Sequence, residues 1–356
     1  MQNFAMSAVL LFQKMSKECL YKLRSCVWEI TLSCCFSCAY CGSRGGHARE
    51  NELTTEECLD IAKQLKELGC RRVSLIGGEV FMRDDWDIIV KALTERNIKV
   101  CIITNGFTMS KDIINALKDC KIESVAVSLD GPQRAHDKYR QKGSYNRAIS
   151  AIDALIKDGI AVSAISALRS DNYMLLEELY NTLKNYDIFA WQLQACSPMG
   201  FAEDNGIDTK FDAKYVINFV KNKLPIAKFS LGIADNIGYY TKEEGTLRGR
   251  NNSYFSGCSA GLTSIGIDSV GNVRGCESMY DDYFIEGNLR NKSLKEIWED
   301  ENAFSYNRHF STDLLSGKCK DCKFGMYCAG GCRSYNYFTN DKKLYENVLC
   351  ARNNCL

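Results

Sequence analysis

Hydrophobic runs alternate with helical patterns from residue 27 to about residue 219 of the chain. Six short runs rich in β-branched residues predict strands at residues 27–32, 72–76, 99–104, 124–129, 162–167 and 189–195. Apolar residues at helical spacing predict helices at residues 54–68, 86–96, 111–118, 145–157 and 174–185. Strands that alternate with helices predict an α/β fold with a parallel sheet and right-handed crossovers. Further along, residues 263–268 and 273–276 predict two strands joined by a turn at Gly271 and Asn272.

Small and polar residues stand at or just after the ends of four of these predicted strands. They are Gly77, Gly78 and Glu79 after the second strand, Asn105 after the third, Ser128 and Asp130 at the end of the fourth with Arg140 shortly after, and Gln192 and Gln194 near the end of the sixth. If the parallel sheet closes into a barrel, this placement predicts a ligand site, because barrel enzymes keep their sites at the carboxyl ends of the strands. Each residue also has an ordinary interpretation, because Gly-Gly and Asn-Gly pairs mark turns and a lone arginine is usually solvated.

Composition and charge exclude several classes of protein. The chain of 356 residues is 46% hydrophobic and 25% charged, which is typical of an ordinary globular protein. Its net charge of +1 gives no electrostatic basis for binding nucleic acid or an anionic membrane. No apolar run is long enough to span a bilayer, and the start of the chain lacks the basic lead-in of a signal peptide, so we expect a cytoplasmic protein.

Nineteen cysteines are the unusual feature, and their spacing indicates metal chemistry. Cys34, Cys38 and Cys41 form a CxxxCxxC loop directly after the first predicted strand. Closely spaced thiolates on a loop can hold one corner of a [4Fe–4S] cluster, and three of them leave one iron open to a small molecule. A zinc loop is the alternative, but zinc usually takes two pairs of ligands.

A second concentration of cysteines lies in the last hundred residues. It comprises Cys258 and Cys276, the run Cys319, Cys322, Cys328 and Cys332, and then Cys350 and Cys355. The four-cysteine run taken alone would also suit a structural zinc knuckle. Seven or eight thiolates in one extension suit two further cubane clusters better.

These features together resemble the radical S-adenosylmethionine enzymes that carry a SPASM-type auxiliary-cluster domain. The resemblance covers residues 27–350 and rests on the CxxxCxxC loop with Tyr40 before its last cysteine, the Gly77–Gly78–Glu79 turn, and the seven-cysteine pattern that runs from Cys258 to Cys350. It implies an N-terminal extension at residues 1–26, a partial (β/α)6 barrel at residues 27–244 and a small cysteine-rich auxiliary-cluster domain at residues 245–356.

The resemblance also implies cofactors and their ligands. The cofactors would be S-adenosylmethionine and three [4Fe–4S] clusters. The S-adenosylmethionine site would comprise Tyr40, Gly77, Gly78, Glu79, Asn105, Ser128, Asp130, Arg140, Gln192 and Gln194. Cys34, Cys38 and Cys41 would hold the cluster that binds S-adenosylmethionine, Cys258, Cys276 and Cys332 the first auxiliary cluster, and Cys319, Cys322, Cys328 and Cys350 the second. The first auxiliary cluster then lacks a fourth protein ligand, which leaves an open iron, a substrate ligand or Cys355 as alternatives.

The C-terminal region looks like that of maturases of ribosomally made peptides. We therefore expect a radical enzyme that cleaves S-adenosylmethionine to a 5′-deoxyadenosyl radical, abstracts hydrogen from a precursor peptide and oxidatively forms a carbon–carbon or thioether crosslink. Its partners would be the peptide, a separate leader-recognition protein and an electron donor such as flavodoxin or ferredoxin. Glu277 is a candidate base, with a purely supporting carboxylate as the alternative. The other functions considered are formylglycine formation in sulfatases and a non-catalytic metal-binding scaffold.

Overall fold

One mixed sheet organises the chain in the computed structural model, which describes residues 21–248 and 254–352. Within these ranges the strands are β1 (Ser25–Glu29), β2 (Arg72–Ile76), β3 (Lys99–Thr104), β4 (Ser124–Ser128), β5 (Val162–Leu168), β6 (Ala190–Ala195), β7 (Ser230–Ile233), β8 (Ser264–Ile267), β9 (Asn272–Arg274) and β10 (Gly287–Asn288). Their order in the sheet is β10-β9-β8-β1-β2-β3-β4-β5-β6-β7. Strands β1 to β7 are parallel, as the alternation of strands and helices predicts.

Helices connect the strands. The described residues form α1 (Thr55–Glu67), α2 (Trp86–Thr94), α3 (Lys111–Asp119), α4 (Gln133–Tyr139), α5 (Ser144–Lys157), α6 (Leu176–Leu183), α7 (Phe201–Asp204), α8 (Ala213–Lys223), α9 (Glu244–Leu247), α10 (Leu294–Glu299), α11 (Ser305–Arg308), α12 (Gly325–Cys328) and α13 (Arg333–Thr339). Short 3-10 turns lie at Val80–Met82, Tyr173–Leu175, Asp282–Phe284, Thr312–Leu314 and Gly317–Cys319. The five helices predicted from spacing are all present, and Thr54 caps α1 in a reciprocal pair with Glu57.

The six predicted strands are confirmed with small shifts at their ends. The largest shift is in β1, which begins two residues earlier and ends at Glu29 instead of residue 32. The chain leaves the sheet there because Leu32 N–H donates to the Glu52 carboxylate (2.7 Å) and Ser33 forms a bridge with Gly46. The apolar character of residues 30–32 thus serves a loop junction and not the strand.

The cysteine-rich segment is joined to the sheet of the barrel. The predicted C-terminal hairpin is confirmed as β8 and β9, which are antiparallel. Strand β8 also pairs in parallel with β1, with Cys26 opposite Ile265. The sheet therefore continues from the parallel strands into the C-terminal segment. Residues 249–253 of the expected domain boundary lie outside the described residues.

The main core lies between the sheet and the helices that cover it. Trp28 on β1 and Trp191 on β6 are fully buried, and the apolar faces of α1 and α2 are buried in the same core. This rigid layer fixes the positions of the loops that follow β1 to β7, where the candidate ligands were expected.

Candidate active site

The loop that carries Cys34, Cys38 and Cys41 follows β1 and is fixed by backbone hydrogen bonds. Cys34 N–H donates to Gly46 O (3.0 Å), and Gly46 N–H donates to Leu32 O (3.1 Å). Two further backbone donors point at sulfur: Phe36 N–H at Cys34 Sγ (3.4 Å) and Gly45 N–H at Cys41 Sγ (3.2 Å). Backbone donors to cysteine sulfur are one of the ways in which proteins tune iron–sulfur clusters, so the loop fits such a group.

The Gly77–Gly78 turn packs directly against this loop. Gly78 N–H donates to Thr31 O (2.8 Å), and Glu79 N–H donates to Ser33 O (2.8 Å). A methyl group at Gly78 would lie 2.7 Å from Cys34 Cβ and nearer still to two carbonyl oxygens, those of Leu32 and Ser33. Glycine is therefore needed here so that the turn after β2 can approach the cysteine loop.

The Glu79 carboxylate connects the ends of two strands. It accepts hydrogen bonds from the Thr104 hydroxyl (2.8 Å) and from Asn105 N–H (2.8 Å), and it is buried. Burial raises the pKa of Glu79 to about 7. Glu79 is not among the described residues that line the cavity between the cysteine loop and the C-terminal segment, because its oxygens face Thr104 and Asn105. The Glu79 side chain thus ties the turn after β2 to the end of β3, and its place in the S-adenosylmethionine site stays a prediction.

Asp130 lies at the centre of a buried ionic network. Its carboxylate pairs with Arg140 (Nε to Oδ2, 2.8 Å), lies 3.8 Å from the Arg169 guanidinium and accepts hydrogen bonds from the Tyr40 hydroxyl and from Ala167 N–H. Burial acts to raise the pKa of Asp130, but the two guanidinium groups hold it well below its usual range. The network connects the cysteine loop, through Tyr40, to the ends of β4 and β5.

A cavity of about 410 Å³ lies between the cysteine loop and the C-terminal segment. Cys34, Cys38 and Cys41 line it from one segment of the chain, and Cys276 and Cys332 line it from another. Cysteines from two of the three predicted thiol sets therefore face one space.

The structure brings only part of the predicted S-adenosylmethionine set to this cavity. Its lining includes Tyr40, Gly78, Asn105, Arg140 and Gln194. The other predicted members, which are all described residues, do not line it: they are Gly77, Glu79, Ser128, Asp130 and Gln192. Asp130 acts through Tyr40 and Arg140, whereas Gln192 is exposed lower on β6.

Sequence reasoning missed several residues that line the cavity. They include Cys196, Ser197 and Met199 after β6, Asp235 and Asn236 after β7, and Ser334 and Tyr335 on α13. The position of Cys196, directly after the predicted sixth strand, was an available signal. Asp235 and Asn236 carried no such signal, because β7 itself was not predicted.

The structure does not bring Glu277 to the cavity, although its neighbours Cys276 and Ser278 line it. The Glu277 carboxylate is buried against Gly266 of β8, and neither oxygen has a hydrogen-bond partner. Burial and the nearby Glu29 charge raise the pKa of Glu277 well above its ordinary value. The Glu277 carboxylate does not line the cavity, and its role as a base stays a prediction.

The other predicted thiol sets are also brought together. Cys319, Cys322, Cys328 and Cys350 line one small pocket with Tyr239 and Phe324. Burial raises the pKa of Cys328 to about 12, and the charges of the other three cysteines act in the same direction. Burial raises the pKa of the Cys332 thiol, and the charges of Cys258 and Cys276 act in the same direction. Cys355 lies outside the described residues. Within the described ranges, no three Cys, His, Asp or Glu side chains converge closely enough to hold one bare metal ion.

Comparison with known families identifies two domains in the chain. A sequence model of the Radical SAM superfamily matches residues 28–183. A model of the SPASM iron–sulfur cluster-binding domain matches residues 258–323. The chain contains a radical SAM domain and a SPASM domain. S-adenosylmethionine and iron–sulfur clusters are therefore its cofactors, and the chain is a radical SAM enzyme. No helix in the described part of the chain combines the length and the apolar character needed to cross a membrane.

Relatives of this radical SAM–SPASM chain include enzymes with different substrates. The AdoMet-dependent heme synthase of Methanosarcina barkeri is 25% identical over 340 residues, which cover 92% of this chain and 96% of that protein. The mycofactocin maturase MftC of Mycobacterium tuberculosis is 27% identical over 320 residues, which cover 88% and 78% respectively. The crystal structure of Streptococcus suis SuiB bound to the precursor peptide SuiA has a TM-score of 0.74 at 21% identity, with 98% of this chain and 80% of that chain covered. The fold is thus shared with SuiB.

Proposed function

We propose that the chain is a peptide maturase that cleaves S-adenosylmethionine reductively, removes hydrogen from a residue of a ribosomally made precursor peptide and forms a carbon–carbon or thioether crosslink. The peptide substrate is supported by the similarity to mycofactocin maturase and by the fold shared with SuiB, which binds its precursor peptide. Formation of a crosslink removes two hydrogens from the peptide. One leaves as an atom to the 5′-deoxyadenosyl radical, and the other leaves as a proton and an electron.

The cavity with cysteines from two thiol sets is the observation that carries this proposal. Cys38 and Cys41 face it from the radical SAM loop, and Cys276 and Cys332 face it from the SPASM segment. A substrate in this space lies between a place where hydrogen is removed and a place where an electron can leave. An oxidation needs both, because the substrate radical must lose an electron before the new bond is stable.

We assign three [4Fe–4S] clusters to the three thiol sets. Cys34, Cys38 and Cys41 hold the first, Cys258, Cys276 and Cys332 the second, and Cys319, Cys322, Cys328 and Cys350 the third. When bound, these groups supply the electron that splits the sulfonium and accept the electron that the substrate loses. The chain itself orients the cofactor through the Gly78 backbone, Asn105 and Arg140, and it encloses the space between the sets.

We assign residues 27–244 to the partial barrel and residues 245–356 to the auxiliary domain, after an extension at residues 1–26. Strand β7 is the last strand of the sheet order in the described part of the chain, and we propose this end of the sheet as the place where a peptide leader pairs as an added strand. A separate leader-recognition protein is the other route. An acidic electron carrier such as flavodoxin or ferredoxin fits the exposed lysines beside the third cluster, Lys320 and Lys323.

Mass spectrometry of a candidate peptide tests the proposal. The anaerobically reconstituted full chain is incubated with S-adenosylmethionine, dithionite and a precursor peptide encoded next to its gene. We expect 5′-deoxyadenosine and a peptide that is lighter by about 2 Da, with a fragmentation gap between the two joined residues. Cofactor cleavage without any loss of mass from such peptides would contradict the maturase assignment.

Other outcomes of the same assay identify the alternatives. A product that reacts with aldehyde reagents would indicate formylglycine formation. The long match to the heme synthase favours a tetrapyrrole as a second candidate substrate, and a change in the mass of an added iron porphyrin would indicate it. Zinc without sulfide would indicate a metal-binding scaffold, whereas three cubane clusters require about twelve irons per chain.

A further inference from the structure

The cluster that we assign to Cys258, Cys276 and Cys332 has three thiolate ligands for four irons. The fourth ligand must come from another residue, from the substrate or from solvent. Two other described side chains with strong ligand atoms line the cavity that Cys276 and Cys332 face: Cys196 after β6 and Asp235 after β7. The residues that surround these two side chains differ.

Cys196 belongs with the radical SAM loop. It packs with Tyr40 and Ala202, and Tyr40 belongs to the loop that carries Cys34, Cys38 and Cys41. The buried Cys196 thiol is therefore part of the packing of the radical SAM loop.

The backbone at Asp235 is held firmly against the cavity. On one side, Ala234 N–H donates to Leu193 O (2.7 Å) and continues the pairing of β7 with β6. On the other side, the Asn236 amide exchanges two hydrogen bonds with the Ala195 backbone, at 3.0 and 2.9 Å. The loop that carries Asp235 is therefore part of the scaffold.

A buried tyrosine ties this loop to Cys332. The Tyr239 hydroxyl donates to Asp235 O (2.7 Å) and accepts a hydrogen bond from Cys332 N–H (3.1 Å). The Tyr239 side chain is 1% exposed, so this bridge is shielded from water. The backbones of Asp235 and Cys332 are thus joined through a single hydroxyl group.

The Asp235 carboxylate itself is available. Its side chain is 68% exposed, and the guanidinium atom Arg248 Nη1 lies 3.5 Å from Oδ1, at the outer limit of a hydrogen bond. Arg248 is held independently by the Glu244 carboxylate (2.8 Å) and Ala234 O (3.0 Å). The guanidinium can therefore remain in place and offset negative charge if the carboxylate turns towards a metal.

We propose that Asp235 supplies an oxygen ligand to the fourth iron of the cluster held by Cys258, Cys276 and Cys332. The inference rests on the proposed function for the assignment of that cluster. Carboxylate is a harder ligand than thiolate and suits iron–sulfur clusters less well, so this corner is the one from which a ligand is most easily displaced. Asp235 would close the cluster before substrate enters and could yield its place to a substrate atom.

Low-temperature EPR of the reduced full chain tests the ligand, with Asp235→Ala, Asp235→Cys and the exposed control Asp313→Ala compared with the wild type. S-adenosylmethionine is present in every sample, so that it occupies the open iron of the cluster held by Cys34, Cys38 and Cys41. We expect Asp235→Ala to keep its iron within about one cubane of the wild type, to change one of the cluster signals, and to gain a further spectral change on addition of cyanide. Asp235→Cys should give a closed cluster that cyanide does not alter. Asp313→Ala should match the wild type.

Two results would overturn the proposal. One is an Asp235→Ala spectrum identical to that of the wild type with and without cyanide. The other is a cyanide response that appears in Cys355→Ala but not in Asp235→Ala, which would assign the ligand to Cys355. Asp235→Asn, which keeps the shape of the side chain, gives the same comparison if the alanine variant is unstable. Failure of the proposed function is seen separately, because Cys276→Ala would then leave the iron content unchanged.

Discussion

The contact between Gly78 and the cysteine loop gives a sharp prediction for Gly78→Ala. The new methyl group would lie 2.7 Å from Cys34 Cβ, whereas ordinary contacts begin at 3.4 Å. The turn or the loop must therefore move by at least about 0.7 Å, at a cost of roughly 1–3 kcal/mol for an overpacked site. The carbonyl oxygens of Leu32 and Ser33 block the alternative directions, and both belong to the backbone. Most of the movement should therefore displace Cys34.

Iron content and cofactor cleavage measure this displacement. We expect the Gly78→Ala chain, after anaerobic reconstitution, to lose iron from the radical SAM cluster and to form 5′-deoxyadenosine at a rate lower by about 100-fold, since misplacement by 1 Å can cost that much. Gly46→Ala is the matched control in the same loop, because no atom lies within 4 Å of its added methyl group. If the two variants retain iron and activity equally, the tight contact at Gly78 does not position Cys34.

Three further predictions concern the buried network, the turn carboxylate and the outer thiol set. Asp130→Asn should leave the Arg140 charge without its ion-pair partner, while Arg169 keeps Asp171, and should destabilise the chain by about 3–5 kcal/mol in thermal unfolding. Asp153→Asn on an exposed pair should cost less than about 1 kcal/mol. Equal melting temperatures for Asp130→Asn and the wild type would refute the prediction for the buried network. The raised pKa of Glu79, about 7, means that the folded chain holds a proton that the unfolded chain releases above pH 4.5. Stability should therefore fall as pH rises from 4.5 towards 7, and Glu79→Gln should flatten this part of a melting-temperature profile; an unchanged slope would contradict it. Cys350→Ala should lower iron content by about four atoms per chain, while Cys58→Ala in α1 should not.

The order of elements in the barrel could be predicted because its strands and helices have clear periodicities. The β-branched run at β5 and the capped helix α1 are examples, and both lie within one or two residues of the expected bounds. Strand β7 has only four residues, Ser230–Ile233, with a glycine inside it, and this is too short for the alternation of apolar and polar residues to identify a strand. Asp235 was missed for the same reason, since a position at a strand end has meaning only when the strand is known.

The cysteine sets could be grouped from the sequence, but the direction of other side chains could not. Glu79 has the residue type and the position expected of a ligand contact, yet its carboxylate accepts hydrogen bonds from the Thr104 hydroxyl and from Asn105 N–H. Glu277 adjoins a cavity-lining cysteine, yet it is buried against Gly266. Such outcomes depend on which partners lie within hydrogen-bonding distance after folding.

The pairing of β8 with β1 has a consequence for how the enzyme can be divided. Without the SPASM segment, β1 would lose a partner along the edge from Ser25 to Trp28 and expose unpaired backbone groups that favour aggregation. Because β1 leads directly into the Cys34 loop, damage at that edge would reach the first metal site. A truncated barrel would therefore make a poor minimal enzyme, and engineered fusions should be attached at the ends of the whole chain.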